Sequence, residues 1–535
     1  MNPKIETVLI VGGGSSGWMT AAALCRQNPN IKVALVESQN VPTIGVGEST
    51  IGHINEYLNL IGLKDEDWMQ YCNATYKTSI KFINFRENPV EDKPHTFHYP
   101  FGIFDFTDKP RGLMDWFINK ARHPEIDPSN FGEFFHDSVL MTDRNKMTNN
   151  KDHALRGFNF DADTAYHMDA SLFGQYLRDK ICLPSGIQHF HANVTGVKQN
   201  DDGSIKCVET DTHGEIHADL FIDCTGFKSL LLEQTLNVPF ESFGNHLLND
   251  RAIATVIPYI DIEKEMECVT SCTAIESGWV WNIPLWNRIG TGYVYSSKYA
   301  TEEEAEAQFR KHLKSKSMVI GDEARADAAE IRHIKIKHGV HKRAWEKNVV
   351  GIGLSNGFIE PLESTGLMLT HEGIVKLTHA LRMRDGHVTK YDIDMFNFAF
   401  YEQITGFRNF IAQHYALSMR NDTPYWKAVS EQVTYSDDMV DNKTGLVSNF
   451  QDMAYKLHRG NSFTNDMSGI VYIAAGMGYV PLTPSKADYL DKRYLEEPLY
   501  YDRIYKTWLD HKEVALERIE KMPTHYEFLK NTIYK

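Results

Sequence analysis

The chain has 535 residues, with 56 Lys+Arg against 71 Asp+Glu and a formal net charge of −15. Nucleic acids and anionic membrane surfaces are held by clustered Lys and Arg, so this balance speaks against both as partners. Hydrophobic residues at 42% and charged residues at 24% are ordinary globular usage, which excludes wholesale disorder, and the length calls for two or more folding units.

In chain order, Thr7–Val11 predicts a strand, followed at once by the glycine run 12–17 and a helix from Trp18. A second strand, Lys32–Val36, ends in Glu37 and completes a βαβ unit. Residues 86–165 read as long loops and short helices. A helix is expected from Tyr166 through Leu177, then strands at Ile187–Val197 and Ile205–Glu209 with Asp202-Gly203 as the hairpin turn between them. Leu220–Cys224 is a further buried strand, residues 251–297 alternate as sheet does, and Glu302–Ser315 is an acidic-to-basic amphipathic helix. Strand Asn348–Ile352 leads through a Gly-rich segment to a helix near Leu367–Met383. From Asp392 the pattern is mainly helical, with 428–468 as a long connection. No apolar run approaches the roughly 20 residues of a membrane span. Seven scattered cysteines fit reduced thiols in the cytoplasm, and Cys268/Cys272 lack the further ligands of a zinc site.

Three segments carry chemistry. Gly12-x-Gly14-x-x-Gly17, with Glu37 twenty positions on, has the spacing of a dinucleotide loop. The first glycine permits the turn, the second admits a pyrophosphate, the third lets helix and strand close, and the acid accepts ribose hydroxyls. Gly278-Trp279-Val280-Trp281-Asn282-Ile283-Pro284 puts two indoles on one face of a strand. Gly351 through Gly366 follows a strand and can turn successive N–H groups toward an anion, with Glu363 at its mouth. The stretch Ala218–Gly226 is a strand and turn of the kind that flavoproteins bring to an adenosine.

Together these residues resemble the flavin-dependent halogenases of the tryptophan-halogenase type. The carrying motifs are the glycine loop, Ile44-Gly45-Val46-Gly47-Glu48-Ser49-Thr50, Trp279-Val280-Trp281-Asn282-Ile283-Pro284, Pro361-Leu362-Glu363-Ser364-Thr365-Gly366 and His414-Tyr415-Ala416-Leu417 with Arg420 and Asp422-Thr423. The resemblance implies an α/β fold with a Rossmann-like FAD core and a largely helical substrate portion. It implies a discontinuous core over 1–385 and a substrate-side cap over 386–535. Reduced FAD from a separate flavin reductase would react with O2 to a C4a-hydroperoxide; halide would take its distal oxygen, and hypohalous acid would travel by a tunnel to Lys77. The cofactor set is then FAD used as FADH2, halide and O2, acting on a small aromatic substrate in a cytoplasmic homo-oligomer.

Carried over residue by residue, Gly12, Gly14, Gly17, Glu37, Gly45, Val46, Gly47, Glu48 and Gly353 hold the cofactor. Pro42–Thr50 resembles the strap over the flavin, and the N–H groups of Thr365 and Gly366 hold halide. Lys77 hydrogen-bonds hypohalous acid or forms a haloamine, with Lys81 as the competing candidate, and Glu363 stabilises the cationic ring or takes its proton. Trp279 and Trp281 wall the substrate off, and Phe101 stacks on it. Tyr99 stands where tryptophan-specific members place a His, and no clear amino-acid clamp appears in 428–468, although Tyr435 and Tyr455 are present. An indole, phenol or other electron-rich aromatic is therefore expected instead of free tryptophan. An FAD-dependent aromatic hydroxylase and a flavin-binding protein without catalysis are the competing readings. His189-x-His191 could share a strand face as metal ligands, but the sequence offers no third ligand, and the basic segment Arg332–Arg343 reads as a solvated edge or a flavin-phosphate neighbour.

Overall fold

Thr-Val-Leu-Ile-Val makes the strand Thr7–Val11, and its last four residues are buried. In the computed structural model, which describes residues 4–39, 45, 47–102, 113–149, 155–431, 467–478, 492 and 494–535, this strand lies inside a six-stranded sheet. Lys32–Glu37 and Leu220–Asp223 flank it in parallel, with Ile10 opposite Leu35 on one side and Ile222 on the other. Strands covered on both faces need continuous apolar runs instead of alternation, and these have them. Gln188–His191 forms one edge, parallel to Lys32–Glu37. Val349–Gly351 and then Trp345–Glu346 complete the other side, the last pairing antiparallel.

The chain divides into two compact units, each drawn from three stretches. The first comprises Met1–Thr75, Tyr166–Gly244 and Ile336–Phe407, and the second Tyr76–Ala165, Asn245–Lys335 and Arg408–Lys535. The first unit holds the parallel sheet and has the α/β, Rossmann-like class expected from the sequence. Helix Ser15–Gln27, rich in Ala and buried from Gly17 to Leu24, packs against that sheet. Asp223 closes the turn after its strand: its carboxylate accepts from the N–H groups of Thr225, Leu231 and Leu232. Two expectations need correction. The single strand over Ile187–Val197 is two, Gln188–His191 in the parallel sheet and Val194–Gln199 in a small antiparallel sheet. The break falls at Asn193, whose backbone and side-chain N–H groups are both taken by Asp211. The helix expected from Tyr166 is preceded by strand Ala165–Met168 and begins at Ala170, because Asp169 caps it through the N–H groups of Ser171 and Leu172.

The second unit is built on a seven-stranded sheet, in which Ser79–Ile83 pairs with Val269–Ile275 and Thr96–Pro100. Helix Glu302–Lys314 starts on a capping box, with Thr301 and Glu304 satisfying each other's backbone N–H. Its Ala305, Phe309 and Leu313 pack with Ile253, Val280, Tyr293 and Tyr295 of the sheet. The later part is helical where described: Pro424–Glu431, Met467–Gly476, Pro498–Ile519 and His525–Thr532. Pro498–Ile519 is tied down by His511 to Asp137 (2.9 Å) and Lys512 to Glu133 (2.5 Å). Among the described residues no helix is long and apolar enough to cross a membrane. The basic residues of 332–343 are partly ion-paired, Lys337 with Glu233 and Arg343 with Glu346 and Asp394.

Two glycine substitutions separate folding from ligand space. Gly12 has φ +113°, and a Cβ there would sit 2.3 Å from the Cys224 carbonyl oxygen. Gly12→Ala is expected to cost about 1–3 kcal/mol or more in urea unfolding. At Gly14 a Cβ meets nothing within 4 Å, so Gly14→Ala is expected to stay within about 0.5 kcal/mol of the parent chain.

Candidate functional site

In the first unit the turn after Thr7–Val11 is closed by backbone contact. The Gly12 N–H donates to Val36 O at 2.9 Å, and a Cβ on Gly17 would lie 2.0 Å from Gly12 O. Both positions require glycine for packing. The open space at Gly14, at the N-terminus of helix Ser15–Gln27 with its unpaired N–H groups, is a cradle that a pyrophosphate fits. Glu37 lies directly over Gly13, where a Cβ would strike its carboxylate, and its Oε1 meets His189 Nε2 at 2.8 Å. Gly353, at φ +72°, presses against Ser16 in the first turn of that helix. Gly12, Gly14, Gly17, Glu37 and Gly353 thus gather around one loop, and the residues present fit an adenine dinucleotide.

Gly45 packs against Ser171, and Gly47 adopts φ +108°. Glu48 follows in the short strand Glu48–Ser49, paired with Met168 and His167. Burial, and secondarily the neighbouring Asp169, push the Glu48 carboxyl up to about 7. Val46 and residues 42–44 of the Pro42–Thr50 strap lie outside the described residues. Ser49 Oγ is 3.1 Å from Ser364 Oγ, which joins this segment to the loop carrying Glu363. Glu363 is buried in the turn Pro361–Glu363; Ser364 follows at φ +57°, and Thr365 caps helix Gly366–Met383. The first N–H groups of a helix have no intrahelical acceptor, and the helix dipole adds positive potential there. The Thr365 hydroxyl is buried without a hydrogen-bond partner among the described residues, and a Cβ on Gly366 would meet open space. Halide at these two N–H groups is chemically reasonable.

In the second unit Lys77 is fully buried, with Nζ 4.9 Å from the centre of the Phe101 ring. Lys81 differs: it pairs with Asp143 at 2.9 Å, and Asp143 also meets His98 at 3.0 Å. Burial alone would raise the Asp143 carboxyl, but His98 and Lys81 outweigh it and hold the group far below the usual range. Thr78, beside Lys77, contacts Cys268, whose thiol burial pushes up to about 12. Tyr99 packs edge-on to Phe101 (6.4 Å) and Phe410 (6.1 Å) and stacks on Tyr472 at 5.8 Å. Gly469 allows this, since a Cβ there would lie 2.9 Å from both Tyr99 and Phe410. Phe410 and Tyr472 were not singled out from the sequence; the small residue at 469, in an otherwise apolar helix, is the trace they leave there. Trp279 and Trp281 are buried on strand Gly278–Pro284 with centroids 6.2 Å apart, and the Trp281 indole lies over Gly292 of the next strand. Tyr435 and Tyr455 fall outside the described residues.

A family model described as tryptophan halogenase matches residues 7–490. The tryptophan 6-halogenase ThaL of Streptomyces albogriseolus is 33% identical, with 99% of each chain covered. Among solved structures, the apo structure of VirX1 is similar at 47% identity and a TM-score of 0.89, covering 99% of this chain and 100% of that one. A tryptophan 6-halogenase from Streptomyces toxytricini gives 32% identity and a TM-score of 0.83, covering 98% and 99%.

The Glu48 carboxyl gives a pH signature. Its folded value is about 7 against an ordinary 4.5, so the folded chain holds the proton more tightly than the unfolded chain. Stability is then greatest below the ordinary value and declines as pH rises toward 7. In Glu48→Gln that decline is removed, and its melting temperature relative to the parent's is expected to increase between about pH 5 and about pH 8.

Proposed function

The chain belongs to the tryptophan halogenase family and is a flavin-dependent halogenase, and from that premise we propose that it halogenates an electron-rich aromatic compound other than free tryptophan. The observation that carries this reading is the buried Lys77 beside Phe101, next to a Tyr99 set among Phe101, Phe410 and Tyr472. These rings present apolar faces and a phenol where an aromatic substrate needs stacking.

Bound reduced FAD, supplied by a separate flavin reductase, provides with O2 the two-electron oxidation that turns halide into hypohalous acid. Gly14 and the helix behind it hold the pyrophosphate, Glu37 accepts the ribose hydroxyls, and Gly353 lets the second loop close on Ser16. Gly45, Val46, Gly47 and Glu48 belong to the Pro42–Thr50 segment, which would serve as the strap over the flavin; a Glu48 that is largely protonated below neutral pH can donate a hydrogen bond as well as accept one. The N–H groups of Thr365 and Gly366 hold halide. Lys77 takes the oxidant: its ammonium hydrogen-bonds the oxygen of hypohalous acid and makes the halogen more electrophilic. Phe101 disperses that charge in the resting state, whereas the Lys81 ammonium is already committed to Asp143. The ring carbon attacks halogen, hydroxide leaves as water with a proton from the ammonium, and Glu363 stabilises the cationic ring or takes its proton. Trp279 and Trp281 present a bulky face that bars an aromatic compound from the flavin. Residues 386–535 supply the substrate-side portion, and the enzyme works as a cytoplasmic homo-oligomer.

The test supplies reduced FAD, O2, a panel of halides and a panel of indoles, phenols and tryptophan, with products read by mass spectrometry. Lys77→Ala is expected to abolish substrate halogenation while hypohalous acid, trapped by a chemical probe, continues to form. Glu363→Gln is expected to lower kcat by roughly 10²–10⁴-fold. Halide-independent hydroxylation, or preference for free tryptophan, would overturn the corresponding part of the reading.

A further inference from the structure

The edge of the parallel sheet holds a polar cluster whose two histidines the halogenation chemistry does not use. Glu37 ends one strand and His191 lies directly opposite it in the parallel pairing with Gln188–His191. His189, two residues back, projects from the same strand face. The ligand atoms of Glu37, His189 and His191 all lie within 4.8 Å of one another. The two imidazoles are 4.1 Å apart between ring centres, and Glu37 Oε1 is 2.8 Å from His189 Nε2. Trp18 meets His189 edge-on at 4.9 Å and fixes its ring. His191 is exposed, and its ring has no hydrogen-bond partner among the described residues.

We propose that Glu37, His189 and His191 form a binding site for a divalent transition-metal ion, zinc being the representative, that competes with FAD for Glu37. Two neutral imidazoles and one carboxylate are a common zinc donor set, and they leave a fourth position for water. Zinc bonds of about 2.0–2.1 Å place tetrahedral ligand atoms roughly 3.4 Å apart, so the cluster needs only a small side-chain closure. The metal would take the place of the hydrogen bond between Glu37 Oε1 and His189 Nε2. Magnesium and calcium, which prefer several oxygen donors, suit this set poorly.

A second group, Cys207, Glu215 and His217, has a similar look. There the Lys198 ammonium, 2.6 Å from Glu215 and 2.8 Å from Glu209, already stands as the cation. Among the described residues no lysine or arginine is bonded to Glu37, although Arg178 lies near enough to interact with it electrostatically. The competition part of the proposal rests on the reading of Glu37 as the ribose acceptor of FAD. The glycine loop ties the two uses together, because the Glu37 carboxylate lies over Gly13 on one side and meets His189 on the other. A chain loaded with metal would therefore accept cofactor poorly, and a chain loaded with FAD would exclude metal.

The experiment uses the full chain freed of flavin, in a His217→Ala background that removes the second group. Zinc chloride is titrated by calorimetry and against a fluorescent zinc chelator, and FAD affinity is measured separately with and without zinc. One zinc per chain is expected, with no heat from magnesium. His191→Ala, on an exposed edge and away from the Glu37–His189 bond, is expected to weaken zinc at least about tenfold while FAD affinity without zinc is unchanged. His191→Cys is expected to restore zinc binding, which a merely structural role for His191 would not produce. The apparent FAD dissociation constant should rise in proportion to free zinc in the parent and stay flat in His191→Ala. Absence of stoichiometric zinc binding, or binding that His191→Ala leaves intact, overturns the site. Zinc bound through His191 without any effect on FAD overturns the shared use of Glu37. Failure of FAD to bind in the absence of zinc is a separate result and tells against the cofactor reading alone.

Discussion

How closely two backbones can approach at the first βα turn governs the first unit. The Gly17 Cα packs so tightly on the Gly12 carbonyl that a single Cβ would fall 2.0 Å from its oxygen, and Gly12 itself abuts Cys224. That contact fixes where helix Ser15–Gln27 starts, and so where its unpaired N–H groups point. It also brings Glu37 over Gly13 and Ser16 against Gly353, so two strands and a distant loop converge on one turn. A methyl group at either glycine would separate helix from sheet and disperse the convergence.

In the second unit the deciding contrast is between two lysines four residues apart. Lys81 has a carboxylate within 2.9 Å, which spends its charge on the Asp143–His98 network. Lys77 has an aromatic face instead. Burial alone would lower the Lys81 pKa, but Asp143 and Glu267 outweigh it and keep that ammonium charged and fixed in place, whereas Lys77 sits against the Phe101 ring. Reactivity is thus assigned by neighbours and not by residue type. Lys77 ends the short strand Thr75–Lys77, whereas Lys81 lies within Ser79–Ile83, which pairs between Val269–Ile275 and Thr96–Pro100.

The features legible in the sequence were those whose cause is local. A glycine forced by φ or by a close approach, a pair of tryptophans at period two, and a hairpin at Asp202-Gly203 each carry their reason within a few residues. The break at Asn193 is hidden because Asp211, which imposes it, sits in the turn after strand Ile205–Thr210. The aromatic wall at Tyr99 was visible only in part, since Phe410 and Tyr472 arrive from far along the chain. The same holds for His189 and His191. Their third companion, Glu37, becomes apparent only when the sheet order and register place strand Gln188–His191 beside Lys32–Glu37. Pair contacts set by strand order have no signature in either segment alone.

Cys268 touches Thr78, one residue from Lys77, the lysine to which the proposed mechanism brings hypohalous acid. Thiolates are among the fastest scavengers of such oxidants, whereas a neutral, buried thiol reacts slowly. Burial holds this thiol at about 12, and five of the other six cysteines are buried as well. On that mechanism, the apolar packing that stabilises the sheet also shields this thiol from the oxidant.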